Sequence, residues 1–305
     1  MRIVLIGQAA FAKDTLSALI EHNENIVGVF CPPDKDPTKP DPLKSLSLEH
    51  SIEVFQFNRM RSAEAINAFK KLQPDLCVMA FVTDIIPNEI LEYPNFGTIQ
   101  YHPSLLPKHR GPSSINWPII KGEKTTGLSI FWPDEGLDTG PILLQRQVEI
   151  KKNDTLGTLY FTKLYPLGIK AIIESVDLVR SGKAPKTPQN HELATYEGWC
   201  KSENGKIDWN ADKNSIFNLI RGCDPSPGAN TNFGNHIVSL FDASIQDYNS
   251  GLKPGTINQI KSDQFSIAVN NGNINISRVK VDSGKKINSG EFIKNMNISE
   301  GNTFN

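Results

Sequence analysis

Residues 1–20 read MRIVLIGQAAFAKDTLSALI, and this stretch decides the class of the fold. Ile3 to Ile6 is a short apolar run that stops at Gly7. Beyond it, Phe11, Leu16, Ala18, Leu19 and Ile20 recur at roughly helical spacing in an alanine-rich segment. The pattern is strand, tight turn, helix. Ile26 to Phe30 supplies a second strand, Ala63 to Leu72 a second helix, and Leu76 to Phe81 a third, buried strand. Alternation of this kind calls for right-handed crossovers and a mostly parallel sheet in an α/β fold. A strand, a glycine and a helix also suggest a dinucleotide site, but GQAAFA lacks the second and third glycines of GxGxxG. Without them close approach of backbone to a pyrophosphate is unsupported. No NAD is expected, and Gly7 simply turns the chain.

The chain has 305 residues, more than one hydrophobic core usually organises, so two domains are expected. Its net charge of -1 and pI of about 6.6 provide no global basic field for a polyanion, which weighs against nucleic acid while leaving a local patch open. Cys31, Cys77, Cys200 and Cys223 are scattered without CxxC spacing, so reduced, mostly buried thiols are expected rather than a zinc knuckle or disulfide framework. His22, His50, His109, His191 and His236 show no ligand spacing, and no metal is expected. The start MRIVLIG reads as a strand and no apolar run reaches membrane-spanning length, so a cytoplasmic protein without a membrane partner is expected. The oligomeric state stays open.

Further along, PPDKDPTKPDP from Pro32 to Pro42 reads as an irregular surface loop in which Asp34, Asp36 and Asp41 offset Lys35 and Lys39. Thr155 to Arg180 reads as one long helical stretch kinked at Pro166 and closed by Gly182 and Pro185. From Lys206 the composition turns to Asn and Gly, and Gly255–Ile260, Phe265–Val269 and Ile274–Val281 alternate like strands, with a hairpin at Asn270-Asn271-Gly272-Asn273. The expected domains are therefore 1–180, a linker 181–203, and a β-rich domain 204–305 whose tail frays from Asn295.

The chemistry is concentrated in Gly97 to Gln145, GTIQYHPSLLPKHRGPSSINWPIIKGEKTTGLSIFWPDEGLDTGPILLQ. His102 follows an expected strand, Thr98 to Tyr101, and so stands at a strand's C-terminal end, where open α/β sheets place ligands. Asp138 lies in DEGLDTG, after an expected strand Leu128 to Trp132, on a glycine-flanked loop that can carry a carboxylate to other groups. Each alone reads as an ordinary structural residue. Their ordered combination is far more specific.

HPSLLPKHRGPSSINW and GLDTGPIL resemble the HxSLLPxxRG segment and the aspartate loop of the folate-dependent formyltransferases and hydrolases. Within that family the text is most similar to the N-terminal hydrolase domain of 10-formyltetrahydrofolate dehydrogenase, through YHPSLLP, SINW, SIFW, DEGLDTG and ATYEG. It runs from MRIVLIGQ through PDKD to IRGCDPSPGA, at least three quarters of the chain. The resemblance implies a Rossmann-like formyltransferase domain followed by a smaller, OB-like β-rich domain, and 10-formyltetrahydrofolate as formyl donor. It also implies His102 and Asp138 as catalytic residues, with Asp138 shared by the folate site. Most of the family carries asparagine two residues before the histidine, and the dehydrogenase domain an apolar residue; Gln100 matches neither, reading as an amide donor to the oxyanion or as a strand residue facing solvent. Asp84, Ile85 and Ile86 of FVTDIIP are implied to line the pterin pocket, or else form a strand end leading to a helix at Pro87. Arg110 and Gly111 shape the turn beneath His102, with no catalytic part for Arg110. Tyr196, Trp199 and Arg221 fall to packing between domains.

The chemistry of a formamide is consistent with this set: attack on the formyl carbon, a tetrahedral oxyanion, and departure of a poor nitrogen leaving group each need a placed proton or charge. The family leaves three acceptors, namely water, methionyl-tRNA, or a small amine such as an amino sugar. The charge-balanced loop 32–42 and the dispersed C-terminal lysines favour water, with the tRNA branch second. A folate-binding storage or sensing protein is the non-enzymatic alternative, against which the presence of both His102 and Asp138 argues.

Overall fold

A computed structural model describes every residue except Pro37 and Asn249; part of the loop expected at 32–42, Pro37, thus lies outside the described residues. The chain forms two compact units. The first comprises Met1–Ser114, Gly127–Val148 and Thr162–Glu197, the second Ile115–Thr126, Glu149–Phe161 and Gly198–Asn305.

In chain order the elements begin β1 (Arg2–Gly7), α1 (Ala9–Glu21), β2 (Asn25–Cys31), α2 (Pro42–Glu49), β3 (Val54–Gln56), α3 (Ala63–Lys71), β4 (Leu76–Ala80), α4 (Asn88–Leu91) and β5 (Thr98–His102). There follow α5 (Asn116–Ile120), β6 (Thr125–Phe131), β7 (Ile142–Glu149), α6 (Leu156–Leu159), α7 (Tyr165–Arg180) and α8 (Lys213–Gly222). The last are β8 (Ala229–Phe233), β9 (His236–Gln246), β10 (Ile257–Ile260), β11 (Phe265–Val269), β12 (Gly272–Val281), β13 (Lys286–Asn288) and α9 (Ser289–Asn295).

The first unit is built on a seven-stranded sheet of order β3-β2-β1-β4-β5-β6-β7. Its pairs from β3 to β5 are parallel, and β6 runs antiparallel to β5. Period-two alternation sends Ile3, Leu5, Val78, Ile99 and Tyr101 to one face, under Phe11 and Leu16 of α1 and Ile172 of α7. Val4, Ile6, Cys77 and Met79 take the other, with Phe69 of α3 and Ile90 of α4. Helices on both faces are what a buried parallel sheet requires. α2 and β3, at eight and three residues, are too short to announce themselves by periodicity.

The first turn shows why GQAAFA works. A Cβ on Gly7 would lie 2.3 Å from the Ala80 carbonyl oxygen and 2.6 Å from Ala12 Cβ, so this glycine is there for close packing. Ala9 takes the left-handed φ of +59°, and its N–H donates to both oxygens of Asp41, at 3.1 and 2.9 Å. Asp41 also caps α2 through Leu43 N–H, with Pro42 in the first turn, where its missing N–H costs nothing. The amide that would meet a phosphate in a dinucleotide fold thus faces a carboxylate. α3 is capped by Ser62 and ends in Lys70 and Lys71, complementing its dipole.

Two expectations are corrected. The stretch 155–180 is no single kinked helix: a π-helical turn at Tyr160–Leu164 separates α6 from α7, and Pro166 sits harmlessly in the first turn of α7. The C-terminal tail does not fray. Asn305 and Asn232 exchange backbone hydrogen bonds at 2.9 and 3.0 Å, and Phe304 is buried among Trp209, Phe233 and Phe265. Burial of Phe304 and Ile298, together with the backbone hydrogen bonds from Gly301 and Phe304 to Ile257 and Gly255, offsets the entropy of ordering the tail.

The second unit carries a six-stranded sheet of order β10-β11-β12-β9-β8, with β13 on β12, antiparallel throughout. The expected hairpin joins β11 to β12 through Asn270 and Asn271, the latter at φ +63°, a conformation asparagine tolerates. Among the described residues no helix is long and apolar enough to cross a membrane.

Two outcomes are expected. Gly7→Ala lowers stability by about 1 to 3 kcal/mol through overpacking, while Ala9→Gly is neutral or stabilising by up to about 1 kcal/mol because it relieves a left-handed alanine; urea unfolding of both reads the contrast. Burial, reinforced by Asp41 and Asp34, pushes the Cys31 thiol up to about 12, and burial also raises Cys77. The hydrogen bond with Cys200 raises buried Cys223, while the same contact lowers the partly exposed Cys200. Alkylation of the native protein at mildly alkaline pH, mapped by mass spectrometry, modifies Cys200 before the other three.

Candidate functional site

β5 delivers the first residue. His102 is its last residue rather than the one after it, a correction of one position. Tyr101 points into the core against Phe11 and donates to the Leu164 carbonyl, so by alternation Gln100 and His102 share the opposite face. His102 stands edge-on to Phe131. The turn that follows, HPSLLP, is held by buried hydroxyls. Ser129 Oγ on β6 donates to Ser104 O at 2.7 Å and accepts from Leu106 N–H at 3.1 Å. Gln145 on β7 donates to that same Oγ and to Leu106 O.

His102 Nε2 lies 2.9 Å from the carbonyl oxygen of His109. A carbonyl only accepts, so Nε2 carries the proton and Nδ1 is the nitrogen left to gain and lose one. Nδ1 lies 3.7 Å from Asp138 Oδ2, with both side chains 7% exposed. That distance is too long for a hydrogen bond, and the contact becomes an ion pair only when Nδ1 is protonated. Asp138 Oδ2 instead accepts the Gly111 N–H at 2.8 Å, and Asp138 itself adopts φ +56°. Its loop is shaped by Asp134, which accepts from Gly136 N–H and Thr139 Oγ1, and by Gly140, where a Cβ would fall 1.8 Å from Trp132 O.

His109 has a part that its spacing did not reveal. Its Nδ1 meets Glu197 Oε2 at 3.1 Å, the side chains being 4% and 10% exposed, and its N–H donates to Thr195 Oγ1. The carbonyl that orients His102 is thereby fixed by a buried pair. Arg110 is buried, donating through Nη2 to Gln189 Oε1 and contacting His191 Nδ1. Sequence spacing could not reveal Glu197 or Gln189, because their partners lie 88 and 51 residues away.

The other expected residues separate. Asp84 accepts from Met60 N–H at 2.8 Å and contacts Arg59 at 3.4 Å. Ile85 is exposed, and Ile86 is buried in the core beside Ile90. Asp84 lines a cavity of about 170 Å³ with Gly7, Gln8, Asn58, Arg59 and Thr83 at the strand ends of the first unit; His102, Asp138, Ile85 and Ile86 are not among its walls. Gln100 is half-buried between Met79 and Phe131 in register. Tyr196 and Trp199 are exposed, and Arg221 donates to the carbonyls of Lys151 and Asp154 inside the second unit. His22, Glu24 and Asp177 bring ligand-type atoms within 4.8 Å of one another, but Arg180 pairs with both carboxylates and is the cation of that cluster.

The formyl transferase family pattern matches residues 1–176, and that of the formyl transferase C-terminal domain residues 200–297. The chain belongs to the formyl transferase family. It is 44% identical over 250 residues to mitochondrial 10-formyltetrahydrofolate dehydrogenase of Mus musculus, a match covering 80% of this chain and 27% of that protein. It therefore spans little more than a quarter of the length of these relatives. Methionyl-tRNA formyltransferase of Clostridioides difficile (strain 630) is 35% identical over 306 residues, covering 99% of each chain. The fold is shared with HypX from Aquifex aeolicus, crystallised with tetrahydrofolic acid (TM-score 0.71, 20% identity, 96% of this chain and 47% of that one). It is also shared with an N-formyltransferase from Helicobacter canadensis in complex with folinic acid and dTDP-3-aminofucose (TM-score 0.69, 18% identity, 92% and 100%).

Replacing Glu197 tests the support beneath His102. Glu197→Leu removes the acceptor facing His109 Nδ1 and is expected to cost about 3 kcal/mol or more. Glu197→Gln keeps an acceptor for Nδ1–H and costs about 1 kcal/mol; denaturant midpoints at neutral pH separate the two.

Proposed function

We propose that this protein takes the formyl group of 10-formyltetrahydrofolate and transfers it to water, releasing tetrahydrofolate and formate. The observation that carries the reading is the buried pair of His102 and Asp138, with the imidazole oriented so that Nδ1 is its working nitrogen. Water adds to the formyl carbon, and its proton passes to the carboxylate of Asp138 or to Nδ1. The oxyanion forms beside the His102 imidazole, and the amide of Gln100 on the same strand face can donate to it. The bond from carbon to N10 then breaks as the proton taken from water, delivered through Nδ1 directly or by relay from Asp138, passes to N10, and the formic acid released loses its remaining acidic proton to solvent to give formate.

Water is favoured as acceptor by the loop after β2. Its acidic groups are engaged locally: Asp34 with Lys44, Asp36 with Thr38, and Asp41 with Ala9 and Leu43. With two lysines, Lys35 and Lys39, against three aspartates, the loop has no net positive charge with which to grip a phosphate backbone. The identity to the formyltetrahydrofolate dehydrogenases supports the same choice.

A second reading, methionyl-tRNA as acceptor, draws on a specific feature. Within the second unit a cavity of about 740 Å³ is lined by Lys121, Lys124, Lys151, Lys152 and Arg221, with Glu149 as its acidic member. Such a cluster suits phosphates, and the end-to-end match to a methionyl-tRNA formyltransferase agrees with it.

One assay separates the readings. The pure protein is incubated with 10-formyltetrahydrofolate, with and without methionyl-tRNA, while formate, tetrahydrofolate and formylated tRNA are followed. Formate is expected without tRNA, and His102→Ala and Asp138→Asn are expected to lower kcat by ~10² to 10⁴ while the fold and folate binding persist. Formylated tRNA with no free formate would establish the second reading instead.

A further inference from the structure

Gln189 lies in a segment that looks like a connection, yet its amide is fully engaged at the candidate site. It is 7% exposed. Nε2 donates to Asp138 O at 2.9 Å and to Gly140 O at 2.7 Å, and Oε1 accepts from Arg110 Nη2 at 2.8 Å. The residue after Arg110 is Gly111, whose N–H holds Asp138 Oδ2. A closed ring results: from the backbone of Asp138 through Gln189, Arg110 and Gly111 back to the carboxylate of the same aspartate.

We infer that Gln189 is the positioning residue that aims the Asp138 carboxylate at His102. This rests on the proposed roles of His102 and Asp138 and adds the element that keeps them in register.

The physical case has three parts. First, an aspartate at φ +56° occupies a sparsely populated conformation that persists only when its surroundings over-determine it. The two donations from Gln189 supply that constraint on either side of Thr139. Second, Gln189 is itself anchored. Two residues earlier Thr187 exchanges backbone hydrogen bonds with Ile142 at the start of β7, at 2.8 and 2.9 Å. Further along, Arg110 N–H donates to Thr195 O and Glu197 N–H to Arg110 O. The segment 187–197 is therefore stitched to both loops that carry the pair. Third, glutamine is the residue type the geometry requires. It must donate twice to carbonyls and accept once from a guanidinium; glutamate cannot donate when ionised, and leucine can do neither.

The test uses the full chain in the assay above. Gln189→Leu is expected to stay folded, shown by a cooperative thermal melt, to keep KM for 10-formyltetrahydrofolate within about threefold, and to lose ~10- to 100-fold in kcat, the scale of loss from a misplaced group. Gln189→Glu is expected to be impaired at alkaline pH and to recover relative to the parent protein as pH falls, because only the protonated carboxyl can donate to Asp138 O or Gly140 O. A purely structural role would lower the melting temperature of both variants and leave kcat and its pH dependence in the surviving fold unchanged; that result overturns the inference. Should Gln189→Leu not fold, the pH dependence of Gln189→Glu decides alone. Should the parent protein turn over no formyl folate with any acceptor, the proposed function fails. The inference is then read from hydrogen exchange at the Gly111 amide, expected to accelerate in Gln189→Glu at alkaline pH relative to the parent and overturned if unchanged.

Discussion

The hydrogen bond from Gly111 N–H to Asp138 Oδ2, 2.8 Å long, joins the two loops on which the candidate chemistry depends. A carboxylate only 7% exposed must be compensated or its burial becomes prohibitive. Here the Gly111 backbone dipole supplies a direct hydrogen bond, and the His102 imidazole adds a charge partner when Nδ1 is protonated. Once the carboxylate is tied to Gly111, its distance from His102 is determined by how the turn after β5 lies against the loop after β6. The stability of the site and its capacity for proton transfer are therefore one problem.

The rest of the first unit can be understood as scaffolding for those loops. β5 is the last of the parallel strands and pairs with antiparallel β6 on its other side, so the loops leaving β5 and β6 draw on different parts of the fold. The hydroxyl of Ser129 and the amide of Gln145 stitch the HPSLLP turn onto β6 and β7. Buried side-chain networks whose members are satisfied rigidify their surroundings. A rigid turn keeps His109 O beneath His102, and that carbonyl decides which imidazole nitrogen works. The proposed attack on a weakly reactive formamide would draw on preorganisation of this kind.

Membership of the formyl transferase family and the charge of the surface regions bear on different halves of the proposed reaction. The proposed donor half draws on His102 and Asp138 of the first unit. The acceptor half depends on surfaces, and the loop after β2 differs in character from the lysine-lined cavity of the second unit. One family can accordingly keep its donor chemistry while its acceptor surfaces diverge.

Much of this was legible in the residues themselves. Apolar runs at Ile3–Ile6 and Leu76–Phe81 with helical periodicity between the strands were enough for a parallel sheet, because burial on both faces leaves a local signature in composition. The change to short alternating segments after Lys206 announced the antiparallel unit for the same reason. His102 and Asp138 stood out through the text around them. What the chain alone could not disclose is whatever depends on partners distant in sequence: the tail that anchors through Phe304, the left-handed Ala9 held by Asp41, the Glu197 beneath His109, and the Gln189 that grips Asp138. Periodicity reports the face a residue turns to the core, a local property, whereas these hydrogen bonds and buried contacts exist only after folding has brought separated segments to within about 3 Å.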